Sequence, residues 1–236
     1  RVLEIDAKHK LGRVQPGCVL DDLRDAAKEQ GIIFGPDPAT HTRCTLGGMV
    51  GNNSCGSHSH LCTQAGLGYR TSDNTHELEI LTYDGVRMRV GATSDAELEQ
   101  IIRAGGRRGE IYAGLKGIRD KYGDLIRTRF PKLPRRVSGY NLDELLPENG
   151  FNVARALVGT ESTCVTVLEA TMMLVHNPKF RTLLMLGYPD VFSAGDHVMD
   201  ILPFMPTALE GVDALLFDWE KQRGGYAEGF SLLPPG

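Results

Sequence analysis

Residues 45–56 read Thr-Leu-Gly-Gly-Met-Val-Gly-Asn-Asn-Ser-Cys-Gly, four glycines in twelve positions. Glycine admits positive φ and lets a backbone approach a ligand closely. Successive bare N–H groups in such a turn form a concavity for anions, phosphate above all. Thr45, Asn52, Asn53 and Ser54 add donors without charge. No Lys stands in a GxxxxGK[ST] frame, which excludes a P-loop. No GxGxxG leads from a strand into a helix, which excludes a Rossmann fingerprint. The same composition also suits a loop packed tightly for its own sake. A second group, Cys55, His58, His60 and Cys62, offers zinc-capable types within eight residues. Structural zinc sites hold their ligand pairs further apart, so zinc is the lesser alternative. His9, His41, His76, His176 and His197 stand in no HxxH or HxH frame, and no catalytic base is assigned.

The elements around these residues read as mixed α and β. RVLEID and GRVQPG (1–6, 12–17) form a hairpin, and DDLRDAAKEQ (21–30) a helix with Leu20, Leu23, Ala26 and Ala27 on one face. Residues 32–42, with two prolines, form an extended loop, and residues 43–68 lack the period of helix or strand. HELEILTYDGVRMRVG (76–91) is a hairpin turning at Tyr83-Asp84-Gly85. Ser94 to Ala104 is a helix with a Ser94–Glu97 capping box, and a second helix follows near Ile111–Arg129. ALVGTESTCVTVLEATMMLV (156–175) reads as buried strand, with Cys164 a small buried hydrophobe. Residues 177–187 start a new strand. DVFSAGDHVMDILPFMP (190–206) is a helix, and LEGVDALLFD (209–218) begins another strand or helix. Trp219 and Phe217 are expected in a core. Arg107-Arg108 and Arg135-Arg136 are expected on the solvated surface, and Tyr140-Asn141 at a turn that Asn141 caps.

Composition removes whole classes. The chain has 236 residues, 26 basic and 30 acidic side chains and a net charge of −4, so it lacks a basic footprint for nucleic acid or anionic membrane. At 41% hydrophobic it is not a disordered chain, and no apolar run approaches a membrane span. Five cysteines without a leading signal segment suggest free thiols in a reducing compartment. The start, in mid-strand, suggests a piece of a longer protein.

Phe34-Gly-Pro-Asp-Pro-Ala-Thr, then Cys44 through His58, resembles the FAD-binding domain of FAD-linked oxidases, the vanillyl-alcohol-oxidase or PCMH-type fold. Leu157-Val-Gly-Thr-Glu-Ser-Thr-Cys-Val-Thr-Val-Leu-Glu-Ala170 is similar to that family's later Gly-Ser/Thr-Glu-Gly-Thr strand. Asp73-Asn74, Tyr83-Asp84-Gly85 and Ser138-Gly-Tyr-Asn-Leu also fit. The nearest branch comprises D-lactate, D-2-hydroxyglutarate and glycolate dehydrogenases.

The resemblance implies an α+β fold: a PCMH-type FAD-binding domain over 1–175, mainly its second subdomain, and the start of a substrate cap over 176–236. It implies FAD held by Pro36, Asp37, Thr45, Gly47, Gly48, Gly51, Asn52, Ser54, Gly56, Ser57, His58, Gly159, Thr163, Val165 and Val167. It implies hydride transfer from a small 2-hydroxy acid to flavin N5, an electron acceptor and further domains in the parent, and a location in the cytoplasm or peripheral to the inner membrane. The family's earlier glycine-rich phosphate loop is not in this sequence, and Ser162 and Val165 stand where the family's motif has glycine. The alternative is a non-catalytic nucleotide-binding or interaction fragment.

Overall fold

The computed structural model describes residues 1–224 and 229. It resolves two compact units, residues 1–177 and 178–236, each described by itself.

The first unit is built on a five-stranded antiparallel sheet. Strands β1 (Val2–Asp6) and β2 (Leu11–Val14) form the expected hairpin. Helix α1 (Leu20–Lys28) buries Leu20, Leu23 and Ala27, as its period requires, and Asp21 and Asp22 in its first turn favour the dipole. A short β3 (Ile32–Ile33) follows. Helix α2 (Leu46–Asn52) lies inside the glycine segment and the short α3 (His60–Thr63) follows it, where the sequence suggested neither period. Strands β4 (Thr75–Thr82) and β5 (Arg87–Val90) form the second hairpin.

Ser94 caps α4 (Asp95–Ala104) by accepting from the Glu97 N–H, while Glu97 Oε2 accepts from the Ser94 N–H. Helix α5 (Gly106–Arg129) starts earlier than expected. Gly105 (φ 69°) and Gly106 (φ 65°) make a left-handed turn with open space around each, so the GGRRGE stretch re-enters a helix at once.

Helix α6 (Val153–Leu157) precedes β6 (Val165–Met173). Of the stretch 156–175, expected as buried strands, Val165–Met173 and Val175–His176 are strand, while the earlier part is helix end and turn, with Gly159 at φ 87° and Glu161 and Ser162 at φ 49° and 63°. Strand β6 is the centre of the sheet, whose order is β1-β2-β6-β4-β5, and it joins β2 to β4. Strand β7 (Val175–His176) pairs with β3.

One face of the sheet (Val14, Leu78, Ile80, Met88, Val90, Ala170, Met172) packs into the core with Leu23, Leu46 and Phe34. The other carries Arg13, Arg87 and Arg89 against Glu4, Glu77, Glu79 and Glu169 in cross-strand pairs. Each such exposed pair is worth about 0.2–1 kcal/mol.

In the second unit α7 (Val191–Asp196), α8 (Val198–Ile201) and α9 (Ala214–Arg223) are helical. Helix α7 starts at Asp190, whose side chain accepts from the Ser193 N–H. No residue of 177–187, expected to start a new strand, is in one; the last strand ends at His176. Trp219 is exposed and Phe217 only half-buried, so neither is the core residue expected of it. Residues 225–228 and 230–236 of the expected cap lie outside the described residues.

Candidate functional site

Thr45 begins the site. Its backbone is extended, and its hydroxyl accepts the Gly48 N–H at 3.2 Å, which caps α2. Leu46, Met49 and Val50 are buried at i, i+3 and i+4 and hold the helix to the core. Gly47 lies against Pro16, where a Cβ would sit 2.6 Å from the Pro16 Cβ, and its N–H donates to the Pro16 carbonyl at 2.8 Å. The Leu46 and Met49 amides donate to Cys18 O and Thr45 O. The concavity of bare amides that composition suggested is thus absent from 46–49: two of those N–H groups bind the 16–18 segment and two bind Thr45.

The helix ends at Asn53, left-handed at φ 56° and fully buried. Its Oδ1 accepts the Ser72 N–H at 2.9 Å, and its Nδ2 is buried with no partner. Asn52 is exposed, and its Oδ1 accepts from the Ser54 hydroxyl at 2.6 Å.

The two glycine-bearing motifs meet at this helix end. The Gly159 N–H donates to Val50 O at 2.8 Å and the Glu161 N–H to Gly51 O at 2.9 Å. A Cβ at Gly159 would lie 3.3 Å from the Asn53 Cβ. Gly51 has nothing within 4 Å of its missing Cβ, so its Cα faces open space. Beyond it the Glu161–Thr163 turn is exposed. Tyr140, also exposed, joins its hydroxyl to Thr163 Oγ1 at 2.7 Å, and Tyr83 donates its phenol to Ser162 O.

Val165 and Val167 lie elsewhere. A bulge opposite Glu79 and Ile80 sets Val167 across from the buried Ile80, and both valines pack on the core. Cys164 is half-buried, less enclosed than expected.

The 34–38 loop is pinned separately. The Arg24 guanidinium donates to Phe34 O, Pro36 O and Asp37 Oδ1, the last at 2.6 Å. His58 Nδ1 meets Asp37 Oδ2 at 2.6 Å. Gly56 lies so close to the Asp37 carbonyl that a Cβ would overlap it, and the Gly56 N–H donates to Ser59 Oγ. Ser57 opens the single turn that carries His58.

The four zinc-capable residues are committed to different partners. Cys62 is buried behind Gly35, and burial pushes its thiol up to about 12. Cys55 accepts from Arg135 at 3.3 Å, His58 takes Asp37, and His60 stacks edge-on against Tyr69. No group of three His, Cys, Asp or Glu with metal-holding geometry occurs among the described residues.

The helix end at Gly51–Asn52 and the turn at 161–163, joined through the Glu161 N–H and Gly51 O, form a ledge, and an ionic brace ties neighbouring loops together. Arg70 binds Asp73 at 2.6 Å and donates to Arg136 O, Arg136 binds Asp143 at 2.6 Å, and Arg155 donates to the Asp73 and Thr75 carbonyls. Arg136 is therefore committed within the fold, whereas Arg107 pairs with Asp84 and Glu110 at the surface. Asn141 does not cap the next turn. Its buried Nδ2 donates to Val158 O at 2.8 Å and so ties the 138–141 loop to α6.

Tyr83, Gly139 and Asn53 all lie in stretches that the sequence singles out, but nothing there signals the Tyr83 hydroxyl bond to Ser162 O or the orphaned amide of Asn53.

Residues 1–91 match the family model described as FAD binding domain. The D-2-hydroxyglutarate dehydrogenase of Pseudomonas putida is 35% identical over 214 residues, which cover 90% of this chain and 21% of that protein. The glycolate oxidase subunit GlcD of Bacillus subtilis is 28% identical over 216 residues, 90% of this chain and 34% of that protein. The solved structure of alkyldihydroxyacetonephosphate synthase superposes with a TM-score of 0.44 at 18% identity, over 76% of this chain and 24% of that chain. The chain thus spans about a fifth to a third of the length of the two curated relatives.

The ledge fits the uncharged part of FAD. The open Cα of Gly51 permits close backbone approach, and the exposed amide of Asn52 and the Ser162 N–H, which takes no backbone acceptor among the described residues, are neutral donors. The partnerless Nδ2 of Asn53 is fully buried behind the same helix end and is not open to a ligand. No helix among the described residues is long and apolar enough to cross a membrane.

Proposed function

We propose that this chain, which carries a PCMH-type FAD binding domain, is the flavin-holding part of an oxidoreductase acting on a small 2-hydroxy acid. D-lactate, D-2-hydroxyglutarate and glycolate are the candidate substrates. One observation carries the reading: two motifs more than 100 residues apart are hydrogen-bonded into one ledge through Val50–Gly159 and Gly51–Glu161. The names of the curated relatives support the substrate class.

When bound, FAD would supply the hydride acceptor, at N5, for the substrate Cα hydrogen. The chain's own residues bind and orient. Gly51 gives close approach, and Asn52 and Thr163 offer uncharged hydrogen bonds. Thr45, Gly47 and Gly48 shape the helix that carries Gly51 and Asn52, and Ser54 follows its end. Pro36, Asp37, Gly56, Ser57 and His58 form the pinned loop pair at the entrance. Val165 and Val167 support the sheet beneath. No side chain of this chain is assigned as the base that takes the hydroxyl proton. Residues 176–236 begin the substrate cap, and the electron acceptor belongs to the rest of a longer, cytoplasmic protein.

The test is spectroscopic. The purified chain should show a flavin visible spectrum, or gain one with quenched flavin fluorescence when titrated with FAD. A colourless chain that leaves the fluorescence of added FAD unchanged overturns the proposal and favours an interaction fragment without cofactor.

A further inference from the structure

Glu161 and Ser162 stand side by side at φ 49° and 63°, a left-handed pair without glycine. Residues with a Cβ rarely adopt this conformation, and it persists only where the surroundings impose it. Two phenols hydrogen-bond this turn, beside the Glu161–Gly51 and Thr163–Thr160 backbone bonds. Tyr83, at the exposed tip of the β4–β5 hairpin, donates to the carbonyl of Ser162. Tyr140, from the opposite loop, meets Thr163 Oγ1 at 2.7 Å, and Thr163 in turn donates to Thr160 O at 2.6 Å. Tyr83 is 76% exposed, so packing does not account for its placement, while Tyr140 is 47% exposed. The Glu161 N–H is bound to Gly51 O and the Thr163 N–H to Thr160 O, whereas the Ser162 N–H takes no backbone acceptor among the described residues.

We infer that Tyr83 and Tyr140 are positioning residues that hold the Glu161–Ser162 turn left-handed and so aim the Ser162 N–H at the bound flavin cofactor. This rests on the proposed FAD reading and deepens it: the second motif presents a fixed donor, and the fixing comes from two hydroxyls outside the motif. Neither tyrosine is required to touch the cofactor.

The test separates the clamp from the cofactor. In the full 236-residue chain without FAD, hydrogen exchange is read at the Glu161 and Thr163 amides. Tyr83→Phe and Tyr140→Phe each remove one hydroxyl and should speed exchange there roughly three- to tenfold, the worth of one hydrogen bond. In a Ser162→Gly background the same replacements should change exchange less than about twofold, because glycine adopts positive φ unaided. Unchanged exchange in the Tyr variants, or an equal effect with glycine at 162, overturns the clamp. FAD titration of the same variants by flavin fluorescence should raise Kd by the same three- to tenfold factor. Faster exchange with an unchanged Kd overturns the aim at the cofactor. Failure of the unaltered chain to bind FAD overturns the FAD reading itself, while the exchange result still decides the clamp.

Discussion

The carbonyl oxygen of Asp37 occupies the place where Gly56 would carry a side chain. Gly56 has an ordinary extended backbone at φ −163°, so glycine is required there by the neighbour and not by the torsion. Gly56→Ala must push the Asp37–Pro38 peptide away and disturb the Arg24–Asp37–His58 contacts. The expected cost is about 3 kcal/mol of unfolding free energy, at the upper end for overpacking. Urea denaturation within about 0.5 kcal/mol of the parent chain would contradict this.

Arg24 and Asp37 are 12% and 13% exposed, so their pair is nearly dry. Removing one partner of such a pair typically costs about 3–5 kcal/mol, because the other is left buried and uncompensated. Arg24→Ala should approach that range, since it also strips the Phe34 and Pro36 carbonyls of their donors. Arg24→Ala combined with Asp37→Ala should cost less than the sum of the two single changes. Strict additivity in a denaturation cycle would show that the pair does not hold the loop.

Gly51 gives the opposite pattern. It lies in α2, its φ is not in the left-handed region, and an added Cβ meets nothing within 4 Å. Gly51→Ala should raise stability by up to about 1 kcal/mol through helix propensity. If its bare Cα serves close approach of FAD, the same change should weaken FAD binding roughly tenfold or more, the scale of an overpacked contact. A variant that gains stability and binds FAD as tightly as the parent would remove Gly51 from the site.

The sequence disclosed both hairpins, α1 and the Ser94–Glu97 cap, because each is encoded within about fifteen consecutive residues. Helix α2 was hidden by its glycines, which oppose helix formation. Even so, Leu46, Met49 and Val50 carry the helical period, and Thr45 is a proper cap. The break at 159–163 was illegible, since nothing local says that Glu161 and Ser162 turn left-handed. That depends on Tyr83, nearly 80 residues away. The site residues were legible as types in the motif, but the division between ledge (Gly51, Asn52, Thr163) and support (Gly47, Val165, Val167) needed the sheet register.

The five cysteines should divide by reactivity. Burial pushes the Cys62 thiol up to about 12, and raises Cys18 and Cys44 as well. At pH 8 the Cys62 thiolate is then about one part in ten thousand, and the thiolate is the reactive form. Cys44, Cys55 and Cys164 are all half-exposed, but of these three it is the Cys44 thiol that burial raises. A thiol reagent should modify Cys55 and Cys164 in the native chain and all five after urea. Native labelling of Cys62 as fast as Cys55 would show that the 60–63 helix does not seal it.

Glu144 should make stability fall as pH rises. Its side chain is 7% exposed, and burial raises its pKa against the opposing pull of Arg155 and of Arg70, 3.7 Å away, with Asp143 and Asp73 adding to the rise. A carboxyl whose folded pKa exceeds its unfolded value of about 4.3 favours folding in its protonated form. That contribution is complete below the unfolded value and is lost as pH climbs through the raised folded value. Glu144→Gln keeps the shape and never ionises, so it should be more stable than the parent at pH 7 and no more stable below about pH 4. Arg70 keeps Asp73 as its partner in this variant, which limits the damage to the brace. Urea denaturation at the two pH values decides the matter: a Gln variant that is weaker at pH 7, or stronger by the same amount at both, would mean that the Arg70 and Arg155 charges outweigh the burial of Glu144.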